Sequence, residues 1–131
     1  MRESHPAFQS YTFLFSHFLP MRPEDKGTGY DSEKNMAYHS SDLFFAFASF
    51  RENLPPTRPW TKTDFALADR MSSYFANFMK TGDPNGEGLP AWKDSADGSY
   101  MEFADEPVPH DGCSGKLDAL AAEFVHREYD I

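Results

Sequence analysis

The residues with the greatest chemical capacity stand together in Tyr38-His39-Ser40-Ser41-Asp42, directly ahead of the apolar run Leu43-Phe44-Phe45-Ala46-Phe47. An imidazole takes up and returns a proton near neutral pH, and on a turn braced by a packed segment it is both held and reachable. Such a base needs a nucleophile to activate and a third group to orient it. Cys113 does not supply the nucleophile. It is flanked by Asp111 and Gly112, and only His110 or Lys116 lies near enough in sequence to lower its pKa. His5, His17, His110 and His126 lack metal-ligand spacing, and His17, inside a β-rich stretch, reads as a hydrogen-bonded structural group. Asp83, Asn85, Glu87, Gly88 and Asp94 fall at calcium-loop spacing, but Pro90 interrupts them and no amphipathic helix begins after Asp94. No metal and no cofactor is expected.

Composition bounds the partners. Among 131 residues, twelve basic and twenty-one acidic side chains give a net charge of -9 without a compensating basic cluster, which argues against nucleic acid. The longest apolar run, Leu43 to Ala48, is far short of the roughly 20 residues of a membrane span, so a soluble chain is expected. One cysteine excludes an internal disulfide framework. The start, Met1-Arg2-Glu3-Ser4-His5-Pro6, has no apolar segment of the secretory kind, and the compartment stays open.

These residues must be positioned by a small set of elements. Ser10 to Phe18 is rich in β-formers with apolar residues on both faces, the pattern of a buried interior strand. Pro20, Pro23, Gly27 and Gly29 mark a loop to about Asn35. Leu43 to Phe50 suits a short buried helix or a buried strand, and Ser40, Ser41 and Asp42 as potential caps favour the helix. From about Lys62 to Lys80 the residues write a helix. Thr61 with Asp64 resembles a capping box, Phe65, Ala68, Met71, Phe75, Phe78 and Met79 recur at helical spacing, and Gly82 and Pro84 end it. A second amphipathic helix is predicted from about Gly115 to Tyr129, with Leu117, Leu120, Ala121, Phe124 and Val125 on one stripe. Tyr100 to Phe103 is a short strand among turn residues.

In this order the segments resemble the C-terminal part of the type-B carboxylesterases, the carboxylesterase and cholinesterase branch of the α/β-hydrolases, nearest the bacterial para-nitrobenzyl type. The carriers are His39 with Asp42 and the aromatic run, then Trp60-Thr61-Lys62-Thr63-Asp64, Met71-Ser72-Ser73-Tyr74-Phe75-Ala76-Asn77-Phe78, Thr81-Gly82-Asp83-Pro84-Asn85 and Leu89-Pro90-Ala91-Trp92. The resemblance implies an α/β fold, present as a single partial domain over residues 1–131 with one or two sheet strands and two main amphipathic helices. It makes His39 the general base of serine-mediated ester hydrolysis and Asp42 a hydrogen-bonding group behind it. Tyr38, Phe44 and Phe45 are candidate pocket residues, although phenylalanines at this density build core more often than they line pockets.

In α/β-hydrolases the triad runs Ser, then acid, then His along the chain, so a segment beginning shortly before the histidine lacks both partners. The serine elbow needs glycine two residues to either side; Ser114 has Gly112 before it but Lys116 after. The expected chain is therefore inactive alone. It would act on a small-molecule carboxylic ester once completed by an upstream segment or another chain. The alternatives are a non-catalytic interaction module of cholinesterase-like fold and a truncated gene product. Two departures from the family pattern stand out, since Ser40 and Ala48 occupy positions where many relatives carry glycine. An interior strand without its neighbours also favours homo-oligomers.

Overall fold

Thr61 starts the longest element of the computed structural model, which describes residues 9–50 and 58–112. This helix, α3, spans Lys62–Thr81. The Asp64 N–H donates to Thr61 Oγ1 (3.3 Å), while Asp64 Oδ2 accepts from the Thr61 N–H (2.7 Å) and hydroxyl (2.6 Å). The predicted capping box is therefore formed. Gly82 ends the helix at φ 80°, its N–H donating to the Phe78 carbonyl. The buried stripe is Asp64, Leu67, Ala68, Met71 and Tyr74. It departs from the expected one, because Phe65, Phe78 and Met79 are exposed. Geometry explains the C-terminal difference: a helix of this length spans about 30 Å against about 13 Å for a four-residue strand, so its last turns overhang the sheet.

The sheet has three strands, β1 (Phe13–Phe15), β2 (Tyr100–Phe103) and β3 (Pro107–His110), in that spatial order. β1 and β2 run parallel, with Phe13 opposite Met101 and Phe15 opposite Phe103. A parallel pair needs a long crossover, and the intervening helices supply it. β2 and β3 form an antiparallel hairpin that pairs Tyr100 with His110 and Phe103 with Pro107. Alternation places Met101 and Phe103 in the core under α3 and turns Tyr100 and Glu102 outward.

One sequence expectation is corrected here, and one strand has no counterpart in the sequence reading. The Ser10–Phe18 stretch contracts to three strand residues, and among the described residues it is an edge strand, with Leu14 50% exposed. Phe13 and Phe15 turn their own N–H and C=O away from β2, since the ladder runs through Thr12 carbonyl, Leu14 and the Ser16 N–H. The hairpin strand β3 was not expected, because Pro107 and Pro109 argue against a strand. In this register their backbone nitrogens face away from β2, at the free margin of the sheet, where proline forfeits no ladder bond. The helix predicted from about Gly115 lies outside the described residues.

The core joins Leu19, Phe45, Ala46, Leu67, Ala68, Met71, Tyr74, Trp92, Met101 and Phe103. Its polar ends are bonded: Trp92 Nε1–H donates to the Thr12 carbonyl (3.1 Å) and the Tyr74 hydroxyl to that of Pro90 (2.5 Å). Burial pushes the Tyr74 hydroxyl up to about 12. Between β1 and the His39 region the loop is organised by two residues. The Asp31 carboxylate caps a helical turn, α1 (Ser32–Asn35), accepting from Glu33 and Lys34 N–H and from that of Gly27. Arg58 donates to the carbonyls of Pro20 and Tyr30 and lies over the Tyr30 ring.

Candidate active site

His39 is exposed, at the second position of a tight turn. The Ser41 N–H (3.0 Å) and hydroxyl (2.7 Å) both donate to the Tyr38 carbonyl, and Ser41 is fully buried. Ser40 lies between them at φ 70°, a left-handed conformation. The next residues wind one helical turn, α2 (Leu43–Ala46), whose Phe45 and Ala46 N–H groups donate to the Asp42 carbonyl. The helical alternative thus holds for the first half of Leu43–Phe50. After Phe47 the chain closes as a Schellman motif: the Ser49 N–H reaches the Phe44 carbonyl (2.9 Å), that of Ala48 reaches Phe45 (3.2 Å), and Ala48 sits at φ 46°. Ser40 and Ala48 are therefore both left-handed, a conformation that suits glycine.

The other sequence-stated site residues are not gathered around the His39 ring. Asp42 is half-buried at the start of α2 and makes no side-chain capping bond. Tyr38 is partly exposed, and Phe44 packs on Trp60 with ring centroids 5.5 Å apart. Phe45 belongs to the core, against Phe15 (5.2 Å), His17 (5.1 Å) and Phe50 (5.3 Å). Two of the calcium-spaced carboxylates are engaged with protein donors: Asp83 accepts from the Asn85 N–H and side chain, Asp94 from the Ser10 and Ala96 N–H groups. No group of three or more metal-ligating side chains forms among the described residues.

Two histidine clusters could not be seen in the sequence. His17, buried just past β1, has Nε2 2.8 Å from Asp64 Oδ1 and Nδ1 2.9 Å from Asp105 Oδ1. Burial pushes this imidazole down, but the bonds to Asp64 and Asp105 and their charges prevail and hold its pKa above the ordinary value. Burial likewise pushes Asp64 up, and the bonds from His17 and Thr61 outweigh it, so its pKa is lowered. On the outward sheet face the Ser16 hydroxyl donates to Glu102 Oε1 (2.6 Å), His110 Nε2 lies 2.8 Å from Glu102 Oε2, and Tyr100 stacks on the His110 ring. The composition is that of a hydrolytic triad but the wiring is not, because a nucleophilic serine must face the imidazole rather than the carboxylate.

The model of the carboxylesterase family matches residues 2–122. An acylcarnitine hydrolase of Mus musculus is 36% identical over 110 residues, covering 82% of this chain and 18% of that protein. Carboxylesterase 5A of Canis lupus familiaris is 43% identical over 58 residues, 43% of this chain and 10% of that protein. Among solved structures, an esterase from Clostridium hathewayi that hydrolyses aliphatic aromatic polyesters superposes with a TM-score of 0.62 at 24% identity, over 91% of this chain and 21% of its own. The Geobacillus stearothermophilus carboxylesterase gives 0.60 at 22%, over 85% and 21%. The chain thus spans between about a tenth and a fifth of the length of these proteins. Its strands and helices are a portion of the α/β-hydrolase fold, and the chain belongs to the carboxylesterase family.

Proposed function

We propose that this chain is the C-terminal portion of a serine carboxylesterase and that His39 is its general base. The observation that carries the assignment is the exposed imidazole of His39 on a turn that two Ser41 bonds to the Tyr38 carbonyl hold closed and that the buried side of α2 backs. In the reaction His39 takes the proton of a serine hydroxyl as its oxygen attacks the ester carbonyl, then returns it to the departing alcohol. Water attacks the acyl-enzyme by the same relay. The serine, the triad acid and the oxyanion donors come from an upstream segment or another chain, since that order is built into the fold. A small-molecule carboxylic ester is the substrate class.

Reconstitution tests this. The chain alone should leave a short-chain aryl ester intact. Joined to or mixed with an upstream carboxylesterase segment carrying the serine elbow, it should give turnover that His39→Ala lowers by roughly 10^6-fold in kcat. Reconstituted turnover that survives His39→Ala would remove the base assignment and favour a non-catalytic interaction module.

A further inference from the structure

Behind the His39 turn lies a charged cluster that the proposed reaction does not use. His17 is 7% exposed, and a carboxylate oxygen stands within 3 Å of each ring nitrogen. A neutral imidazole has one N–H and one lone pair, whereas a carboxylate only accepts; only the doubly protonated ring satisfies both contacts. The three residues come from three separate pieces: the end of β1, the first turn of α3 and the β2–β3 connection. The His17 ring meets Phe45 edge-on, centroids 5.1 Å apart. Phe45 is fully buried in α2, and its N–H donates to the Asp42 carbonyl, at the foot of the turn that carries His39.

We propose that His17 is a positioning residue: as an imidazolium clamped between Asp64 and Asp105 it seats Phe45, and through Phe45 it fixes α2 and the His39 turn. The charged groups around it are Asp64 from α3 and Asp105 from the β2–β3 connection. Beside Asp105, Glu106, Lys62 and Arg70 border the same cleft, with Arg70 Nη1 3.6 Å from Glu106 Oε2. β1 and α2 present the rings of Phe15 and Phe45. When the ring loses a proton, one nitrogen turns a lone pair to a carboxylate and that contact becomes repulsive. The seat of Phe45 therefore loosens as pH rises, and tightens again when the proton returns.

The catalytic meaning rests on the His39 assignment, but the coupling is measurable without any ester. On the whole chain, imidazole nitrogen shifts of His17 and amide hydrogen-exchange protection of Phe45, Ala46 and Phe47 are followed together across pH. Protection, corrected for the intrinsic exchange rate, should fall through the same midpoint as the His17 proton. The fall should be about tenfold for each unit by which the clamped pKa exceeds its ordinary value. Asp105→Asn, at a side chain 84% exposed and tolerant of change, should move both midpoints to lower pH together. The coupling should persist in His39→Ala, which separates it from titration of His39 itself. Protection that stays flat through the His17 titration, an Asp105→Asn effect on the imidazole alone, or disappearance of the coupling in His39→Ala would overturn the proposal. Failure of the esterase test leaves these outcomes unaffected, so the two readings fail separately.

Discussion

Ser40 and Ala48 both carry a side chain where the backbone turns left-handed. That conformation costs an L-residue about 1–2 kcal/mol, and glycine returns about 0.5–1 kcal/mol of it as unfolded-state entropy. Ser40→Gly and Ala48→Gly should each stabilise the chain by about 0.5 kcal/mol, read as a higher urea midpoint. A lower midpoint in either variant would show that the turn does not hold this conformation. The turn that carries His39 and the helical run after Asp42 were legible from local spacing, because a turn and its helix are short-range structures. The partners of His17 were not. They lie 47 and 88 residues away in sequence, beyond any local pattern. The one available signal was that a histidine amid β-formers must find a bond when buried. Asp64 was legible as a cap but not as a clamp, because one carboxylate does both: Oδ2 serves Thr61 and Oδ1 serves His17.

At the scale of elements, α3 depends on that shared carboxylate. Thr61→Ala should cost about 1 kcal/mol, the usual loss for a cap. Asp64→Ala should cost about 3 kcal/mol or more, since it also leaves a buried charge short of its partner. Chemical denaturation of the two variants should keep that order. The sign of the pH dependence follows from the shifts. His17 is raised, so its contribution is whole below about pH 6.5 and is lost as pH rises through the folded pKa. Asp64 is lowered, so its contribution is whole above about pH 4 and is lost as pH falls through the folded pKa. Urea midpoints should peak between these limits, and Asp64→Ala should flatten both flanks. A profile that keeps rising above pH 8 would contradict the clamp. The ends of α3 were readable from Thr61, Asp64 and Gly82, since capping is local chemistry. Its exposed Phe78 and Met79 were misassigned, because the length of the sheet beneath a helix is not written in the helix.

For the whole molecule, the outward side of β1 is the open question of the fold. Among the described residues Phe13 and Phe15 offer unpaired N–H and C=O groups there, beside a half-exposed Leu14. The chain is expected to self-associate at this edge against its own charge of -9. Leu14→Lys should raise the monomer fraction in sedimentation velocity, and added salt should lower it by screening. An unchanged distribution would place association elsewhere. That the sheet belonged to an α/β-hydrolase was legible from the order of motifs, while β3 was hidden by its prolines. Those same prolines limit what the edge can build. Pro107 and Pro109 remove two donors from the opposite margin, so a strand can be recruited on one flank only. Copies joined through β1 would then bury each other's adhesive side and present only a blunt one. Assembly by this route halts at pairs instead of propagating into fibrils, a stoichiometry set by two residues remote from the contact.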